Sequence, residues 1–251
     1  MDALVLAAGH GSRLRNIAPC KPLAKVHGVP LLELSLRQLA GVGVARAVVA
    51  TGYRAEEIEA ALPAMAGRAG IEAVSRRVDD HRQPNGYSVI AGSEGLEGPF
   101  LLVMADHILS HDLLRSLVEN TPVDCDVALA VDRRVSSPLV DSEDATWVAL
   151  GPKGAIERIG KEIAPYDAVD CGAFLATPAL PQAIAGAVRG GAPGSLSDGM
   201  QHLADRCRAM AVDIGDAWWI DVDDEKAMRL AEAQVRDHLP EIYSAIPREA
   251  S

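Results

Sequence analysis

After Met1 and Asp2 the chain runs through six apolar residues, ALVLAA at 3–8. A run without polar alternation fits a strand buried on both faces, as in a parallel sheet covered by helices. From residue 30 the period changes to three or four. PLLELSLRQLAGVG (30–43) keeps leucines on one helical face, with Pro30 at the first turn and glycines at the end. The two patterns then take turns: RAVVAT (46–51) predicts a strand, AEEIEAALPAM (55–65) a helix and IEAVS (71–75) a strand. FLLVMAD (100–106) is the strongest strand signal, followed by a helix at HDLLRSLVEN (111–120) and a strand at DVALAV (126–131). Strand–helix alternation of this kind predicts an α/β fold, a parallel sheet with helices on both faces.

Past residue 140 the alternation lapses. TWVALG (146–151), AIERIG (155–160) and DCGAFLAT (170–177) are strand-like and joined by short turns, which predicts an antiparallel addition. Helices are expected near 178–188 and 196–206, a strand around MAVDIG (210–215), and AWWIDVD leading into a long helix at 224–239. GGAPGS (190–195) is too short for a domain linker, and no repeat or low-complexity tract breaks the chain. The expectation is a single domain over 1–251.

Composition narrows the function classes. A net charge of −11 over 251 residues argues against nucleic acid, whose phosphates need a basic surface. No apolar run approaches the roughly 20 residues that span a membrane. The start lacks the basic and apolar regions of a signal peptide, so a cytoplasmic protein is expected. Cys20, Cys125, Cys171 and Cys207 have neither disulfide nor zinc spacing. Residues 1–27 reverse the charge balance: Arg13, Arg15, Lys21 and Lys25 face only Asp2. A positive pocket in an acidic protein suits a small anion.

That pocket coincides with LAAGHGSRL (6–14), directly after the first strand. No Gly-Lys-Ser/Thr is present for a P-loop. The dinucleotide fingerprint GxGxxG fails because Leu14 stands at its third glycine, and Thr51-Gly52 stands where a ribose-binding acid belongs. A third kind of loop holds a nucleoside triphosphate on backbone amides, with Gly9 and Gly11 allowing close approach and Arg13 and Lys21 adding charge. By itself GxGxR also describes a tight turn with a surface arginine; Lys21-Pro22-Leu23 makes the pattern more specific.

LAAGHGSRL…CKPL resembles the signature of the nucleotidyltransferases that make activated sugars and alcohols from NTPs. RQPNGYSVIAG, LVMADHILS, ERIGKEI…DAVDCGAFLAT and WWIDVDDEKAMRLAEA are similar to the CTP:inositol-1-phosphate cytidylyltransferases. Cys20 stands where many relatives have proline before the lysine. The resemblance implies a Rossmann-like, mostly parallel mixed sheet, the nucleotide-diphospho-sugar transferase fold. An NTP-binding half would span about 1–125 and an acceptor half about 126–240, with the C-terminal helix and tail at 224–251.

For the site, the resemblance implies that Leu6, Ala7, Ala8, Gly9, Gly11, Ser12, Arg13 and Lys21 wrap the nucleotide, with Ala7 to Gly9 against the base. Asn85, Gly86 and Ser88 in the RQPNGYS loop (82–88) would read the base, beside Ala105, although Pro-Asn-Gly is also an ordinary turn. Asp106, at the carboxyl end of a buried strand, would hold Mg²⁺ together with Asp221, Asp223 or both. In an extended WWIDVDD segment Asp221 and Asp223 share a face with Val222 opposite; Asp223 or Asp224 would alternatively cap the following helix. Lys161, Asp170 and Gly172 would receive the acceptor. His107 reads as a neutral structural histidine or as a substrate contact.

Catalysis in such a protein needs positioning and charge neutralisation, because the attacking phosphate oxygen is already anionic. Arg13, Lys21 and Lys161 are the expected catalytic cations, Mg²⁺ the cofactor, and CTP with inositol 1-phosphate the expected substrates. Another NTP, another cyclitol phosphate, a sugar 1-phosphate or a phosphonate would keep the same chemistry. A nucleotide-sensing protein on the same fold is the alternative from another class. Oligomeric state is not legible, and a homodimer is one option.

Overall fold

Side chains of the first strand, β1 (Asp2–Ala7), alternate between two separate apolar clusters: Ala3, Val5 and Ala7 in one, Leu4 and Leu6 in the other. That alternation makes the opening run a central strand. The computed structural model describes residues 1–14 and 18–244, apart from the Ser12 side chain; Arg15 and the tail 245–251 lie outside the described residues.

A hairpin of β2 (Lys25–Val26) and β3 (Val29–Pro30) follows the glycine loop and leads into α1 (Leu31–Gly41). Then come β4 (Arg46–Thr51), α2 (Ala55–Ala69), β5 (Glu72–Arg77), α3 (Asn85–Gly92) and β6 (Phe100–Met104). After a two-residue turn the chain forms β7 (His107–Leu109), α4 (His111–Asn120) and β8 (Val127–Asp132). The second half adds β9 (Trp147–Leu150), β10 (Ile156–Gly160), β11 (Ala168–Ala176), α5 (Ala179–Arg189) and α6 (Leu196–Ala204). It closes with β12 (Ala209–Asp213), β13 (Trp219–Asp221), α7 (Glu225–His238) and α8 (Pro240–Tyr243).

Among the described residues the central sheet has nine strands, and β5, β4, β1 and β6 run parallel in that spatial order. β11 lies antiparallel to β6 and to β8, with β9 and β10 as the expected antiparallel extension. β12 pairs with β8 in parallel. This is the mixed α/β sheet that the alternating runs imply.

Three features escaped the sequence pattern. The segment 82–88 is not wholly a loop, because α3 begins at Asn85. β13 pairs with β7 rather than joining the main sheet, so Trp219, Ile220 and Asp221 face Leu109, Ile108 and His107. A third apolar cluster, including Leu14, Val26, Ile108, Trp218, Val222 and Tyr243, packs α7 and α8 against the hairpin and the end of the glycine loop. The four cysteines are free thiols, three of them buried. Among the described residues no helix is long and apolar enough to cross a membrane.

Candidate active site

The glycine loop leaves β1 at its carboxyl end, where ligands collect in an open α/β sheet. A Cβ at Gly9 would meet nothing within 4 Å, so the backbone there is open to a ligand. Gly11 differs. Its φ is +53°, and a Cβ would lie 2.5 Å from the Cβ of Lys21 and 2.9 Å from its Cδ. Gly11 is therefore needed for the lysine stem to cross the loop.

Lys21 is only 5% exposed, and its Nζ donates to Asp106 Oδ2 at 2.6 Å and to Asp223 Oδ1, with Asp221 Oδ1 at 3.9 Å. Burial works against a charged ammonium, but Asp106, Asp221 and Asp223 outweigh it and raise the lysine pKa. Asp106 is partly buried, its side chain 27% exposed. Burial would raise its pKa, yet Lys21 and His107 hold it well below the ordinary carboxylate range. The sequence placed Asp106 at the end of β6; a tight turn fixes it there, with Val222 N–H donating to its backbone carbonyl at 3.0 Å.

Pairing of β7 with β13 places Asp221 opposite His107. Asp221 Oδ1 is buried without a hydrogen-bond partner, and the pKa of that carboxyl is pushed up to about 7 by burial, with the carboxylates of Asp106 and Asp223 adding to it. Asp223 lies on the same side, bound to both Lys21 and Arg13, while Val222 points into the core. The capping role falls to Asp224, whose Oδ1 accepts from Ala227 N–H at 2.7 Å at the start of α7.

His107 is better described as an imidazolium than as the neutral structural histidine. Burial lowers its pKa, but Asp221 and Asp106 raise it to about 9. Its Nδ1 lies 2.9 Å from Asp106 Oδ1 and 3.6 Å from Asp221 Oδ1, and its ring stacks on Trp219 at 6.0 Å. Trp219 Nε1 in turn donates to the buried Asp132 at 2.9 Å. Gly172 lies close against the imidazole: its φ is +73° and a Cβ there would come within 2.4 Å of the ring. Gly172 belongs to the irregular stretch in the β8–β11 register between Asp170 and Phe174. Asp170 accepts from Gly172 N–H at 2.7 Å, and burial pushes its pKa up to about 6.

Donor atoms of Asp106, His107 and Asp221 lie within 4.8 Å of one another, as do those of Asp144, Asp221 and Asp223. A buried carboxylate oxygen without a partner, among further hard oxygen donors, fits a divalent cation.

The cleft beside these groups has a volume of about 570 Å³ and is lined by Asp106, His107, Asp144, Lys161, Asp170 and Met200, among others. Arg13 donates to Asp223 at 2.6 Å, to Asp144, and to Asp141 at 3.4 Å. Lys161 also donates to Asp144. Asp141 and Asp144 were not anticipated; in the sequence, acids in a connection are indistinguishable from a solvated turn. Asn85 is partly engaged within the protein, its Oδ1 accepting from Leu196 N–H at 2.8 Å at the start of α6. Gly86 is buried against the Gly194 carbonyl, so its small size serves packing there. Ser88 and Ala105 are buried, as are Leu6, Ala7 and Ala8.

Residues 3–160 match the model of the MobA-like NTP transferase domain. The chain is 36% identical over 241 residues to a bifunctional IPC transferase and DIPP synthase of Rubrobacter xylanophilus, covering 94% of this chain and 52% of that protein. It is 29% identical to the corresponding protein of Aquifex aeolicus, covering 88% of this chain and 48% of that one. The chain thus spans about half the length of these relatives. Among solved structures, the inositol-1-phosphate CTP transferase of T. maritima superposes with a TM-score of 0.81 over 98% of both chains at 23% identity. A glucose-1-phosphate thymidylyltransferase of Bacillus anthracis gives 0.78 at 18% identity, over 94% of this chain and 96% of that one. With an open glycine loop after β1, a buried lysine laid across it and carboxylates gathered at the strand ends, the chain belongs to the MobA-like NTP transferase family and is a nucleotidyltransferase.

Proposed function

We propose that the chain transfers CMP from CTP to inositol 1-phosphate, with Mg²⁺, releasing pyrophosphate and forming CDP-inositol. The observation that carries the reaction type is the convergence of Lys21 with Asp106, Asp221 and Asp223 beside an open Gly9. The motifs RQPNGYS and VDCGAF, together with the 36% identity to an IPC transferase, support the choice of base and acceptor. The first half of the chain then handles the NTP and the second the acceptor.

Asp106, Asp221 and Asp223 would hold the metal, the unpartnered Asp221 oxygen being the strongest single argument for a cation there. When bound, Mg²⁺ supplies positive charge to phosphate oxygens around the reacting phosphorus. The protein's own groups do the rest. Leu6 to Ser12 present backbone to the nucleotide, Gly9 leaving room for close approach. Lys21 and Arg13 neutralise the triphosphate and the departing pyrophosphate. Lys161 steadies the acceptor phosphate, whose oxygen attacks without a general base. Asp170 accepts hydrogen bonds from acceptor hydroxyls, and His107, fixed by Asp106 and Trp219, forms the pocket wall next to Gly172. Asn85 keeps its amide N–H groups for the base while its carbonyl oxygen holds Leu196.

The test is pyrophosphate release from the full chain with Mg²⁺, each NTP in turn, and a panel of phosphorylated acceptors. Release with CTP and inositol 1-phosphate above every other pair is the expected result. Faster release with a different pair would replace the substrates and keep the reaction class.

A further inference from the structure

The connection from β8 to β9, residues 133–146, contains no buried residue, although every residue of β8 and the first three of β9 are buried. Its internal hydrogen bonds are short-range: Val140 N–H to the Ser137 carbonyl at 3.0 Å, Ala145 N–H to the Asp141 carbonyl at 2.9 Å, and Glu143 N–H to Asp141 Oδ1 at 3.0 Å. Val135, Leu139, Val140 and Ala145 rest only partly on the core. The acidic middle of the loop is tied to the site by charge. Asp144 accepts from Arg13 and from Lys161, and Asp141 reaches Arg13 at 3.4 Å.

These two cations come from opposite halves of the chain, and one carboxylate joins them inside the cleft. A carboxylate offers anionic oxygens that only accept hydrogen bonds, as a phosphate monoester does, but carries one charge against nearly two. Asp144 is 30% exposed, Arg13 45% and Lys161 60%, and ion pairs this open to water are weak enough to exchange. We propose that the Asp144 carboxylate sits in the seat of the acceptor's phosphate on Lys161, and that when a phosphate monoester arrives the 133–146 loop releases Lys161 to it and Arg13 to the triphosphate beside it. This rests on the transferase reading of the site.

The consequence is a form of selectivity. A phosphorylated acceptor brings the charge needed to displace Asp144, while the same polyol without phosphate does not, so the loop holds the cations ready and excludes neutral competitors. Asp144 is a positioning residue in this scheme: it acts on substrate through Arg13 and Lys161.

Inorganic phosphate is the probe, titrated calorimetrically into the full chain without added divalent metal. Asp144→Asn should bind phosphate about tenfold more tightly than the unmodified protein. Glu143→Gln removes the same charge from the same loop without touching Lys161 and should stay within about twofold. Adding Lys161→Met to Asp144→Asn should abolish the gain, and Asp144→Ser serves the same comparison should the asparagine variant fold poorly. Unchanged or weaker phosphate binding in the Asp144 variants, or an equal gain in Glu143→Gln, overturns the proposal. Transfer activity is scored separately. Turnover with CTP and inositol 1-phosphate but no gain in phosphate affinity leaves the transferase reading and removes the seat; the gain without any turnover does the reverse.

Discussion

Lys21 and Asp106 meet at 2.6 Å across 85 residues of sequence, one from the glycine-loop segment and the other from the turn after β6. The contact joins the glycine loop to the carboxylates, and it is nearly sealed from water on the lysine side. Removing the ammonium leaves Asp106, Asp221 and Asp223 facing one another. Lys21→Ala should lower kcat by a factor of order hundreds, the scale for losing one electrostatic donor at a reacting centre. Near-normal kcat in the variant would remove Lys21 from the mechanism.

The same pair sets a pH dependence. Asp106 has its pKa depressed in the folded protein, so its contribution to stability is present above the unfolded value near 4 and is lost as pH falls through the folded value. Without Lys21 the carboxylate pKa values rise in the folded state, and the charge cluster costs stability as pH rises. The melting-temperature deficit of Lys21→Ala should therefore be larger at pH 8 than at pH 4.5. A deficit independent of pH would mean that packing of the lysine stem, not its charge, is what matters.

Gly11 and Gly9 should separate structural from ligand-facing glycine. Gly11→Ala places a methyl 2.5 Å from the Lys21 Cβ at positive φ, which should cost about 1–3 kcal/mol and lower kcat by shifting the lysine. Gly9→Ala meets no protein atom within 4 Å and should leave the melting temperature within a degree or two while raising the KM for the nucleotide. Thermal melts and steady-state kinetics on both variants check the contrast.

Asp221→Asn tests the metal assignment from two directions. It neutralises a buried oxygen that has no partner, so the metal-free variant should melt higher than the parent at pH 8. It should also lose tenfold or more in Mg²⁺ affinity by calorimetry. A variant that binds Mg²⁺ as tightly as the parent excludes Asp221 as a ligand.

Asp170 carries a raised pKa of about 6, so its ionisation costs stability above that pH and costs nothing below about 4. Between those limits the parent should lose stability as pH rises, and Asp170→Asn should flatten that stretch of the curve. The variant should also raise the KM for the acceptor several-fold and leave the KM for CTP unchanged. An equal rise in both constants would point to a collapsed cleft rather than a lost acceptor contact.

How far the sequence alone led depends on the range of the interactions involved. Uninterrupted apolar runs such as ALVLAA and FLLVMAD specify strands buried on both faces, and the leucines of 30–43 specify an amphipathic helix, because side-chain direction follows backbone period. The glycine loop, Lys21, and Asp106, Asp221 and Asp223 were likewise readable, since each lies next to an element whose end is marked locally. Even the separation of Asp223 from the cap was within reach, because alternation puts Asp221 and Asp223 on one side and the cap simply shifts to Asp224.

Tertiary structure decided what no period records. That β13 pairs with β7, setting Asp221 against His107, depends on two short strands far apart in the chain. The raised pKa of His107 follows from Asp221, which this pairing supplies, together with its chain neighbour Asp106. Gly11 is needed because a lysine stem ten residues later crosses it, and Asn85 holds the start of α6 across 111 residues. The role of Asp144 is the clearest case: a loop acid acquires meaning only when the fold brings Arg13 and Lys161 to it. Local sequence determines which way a side chain points from its own element, while charge, burial and partners come from whatever the packed chain places in front of it.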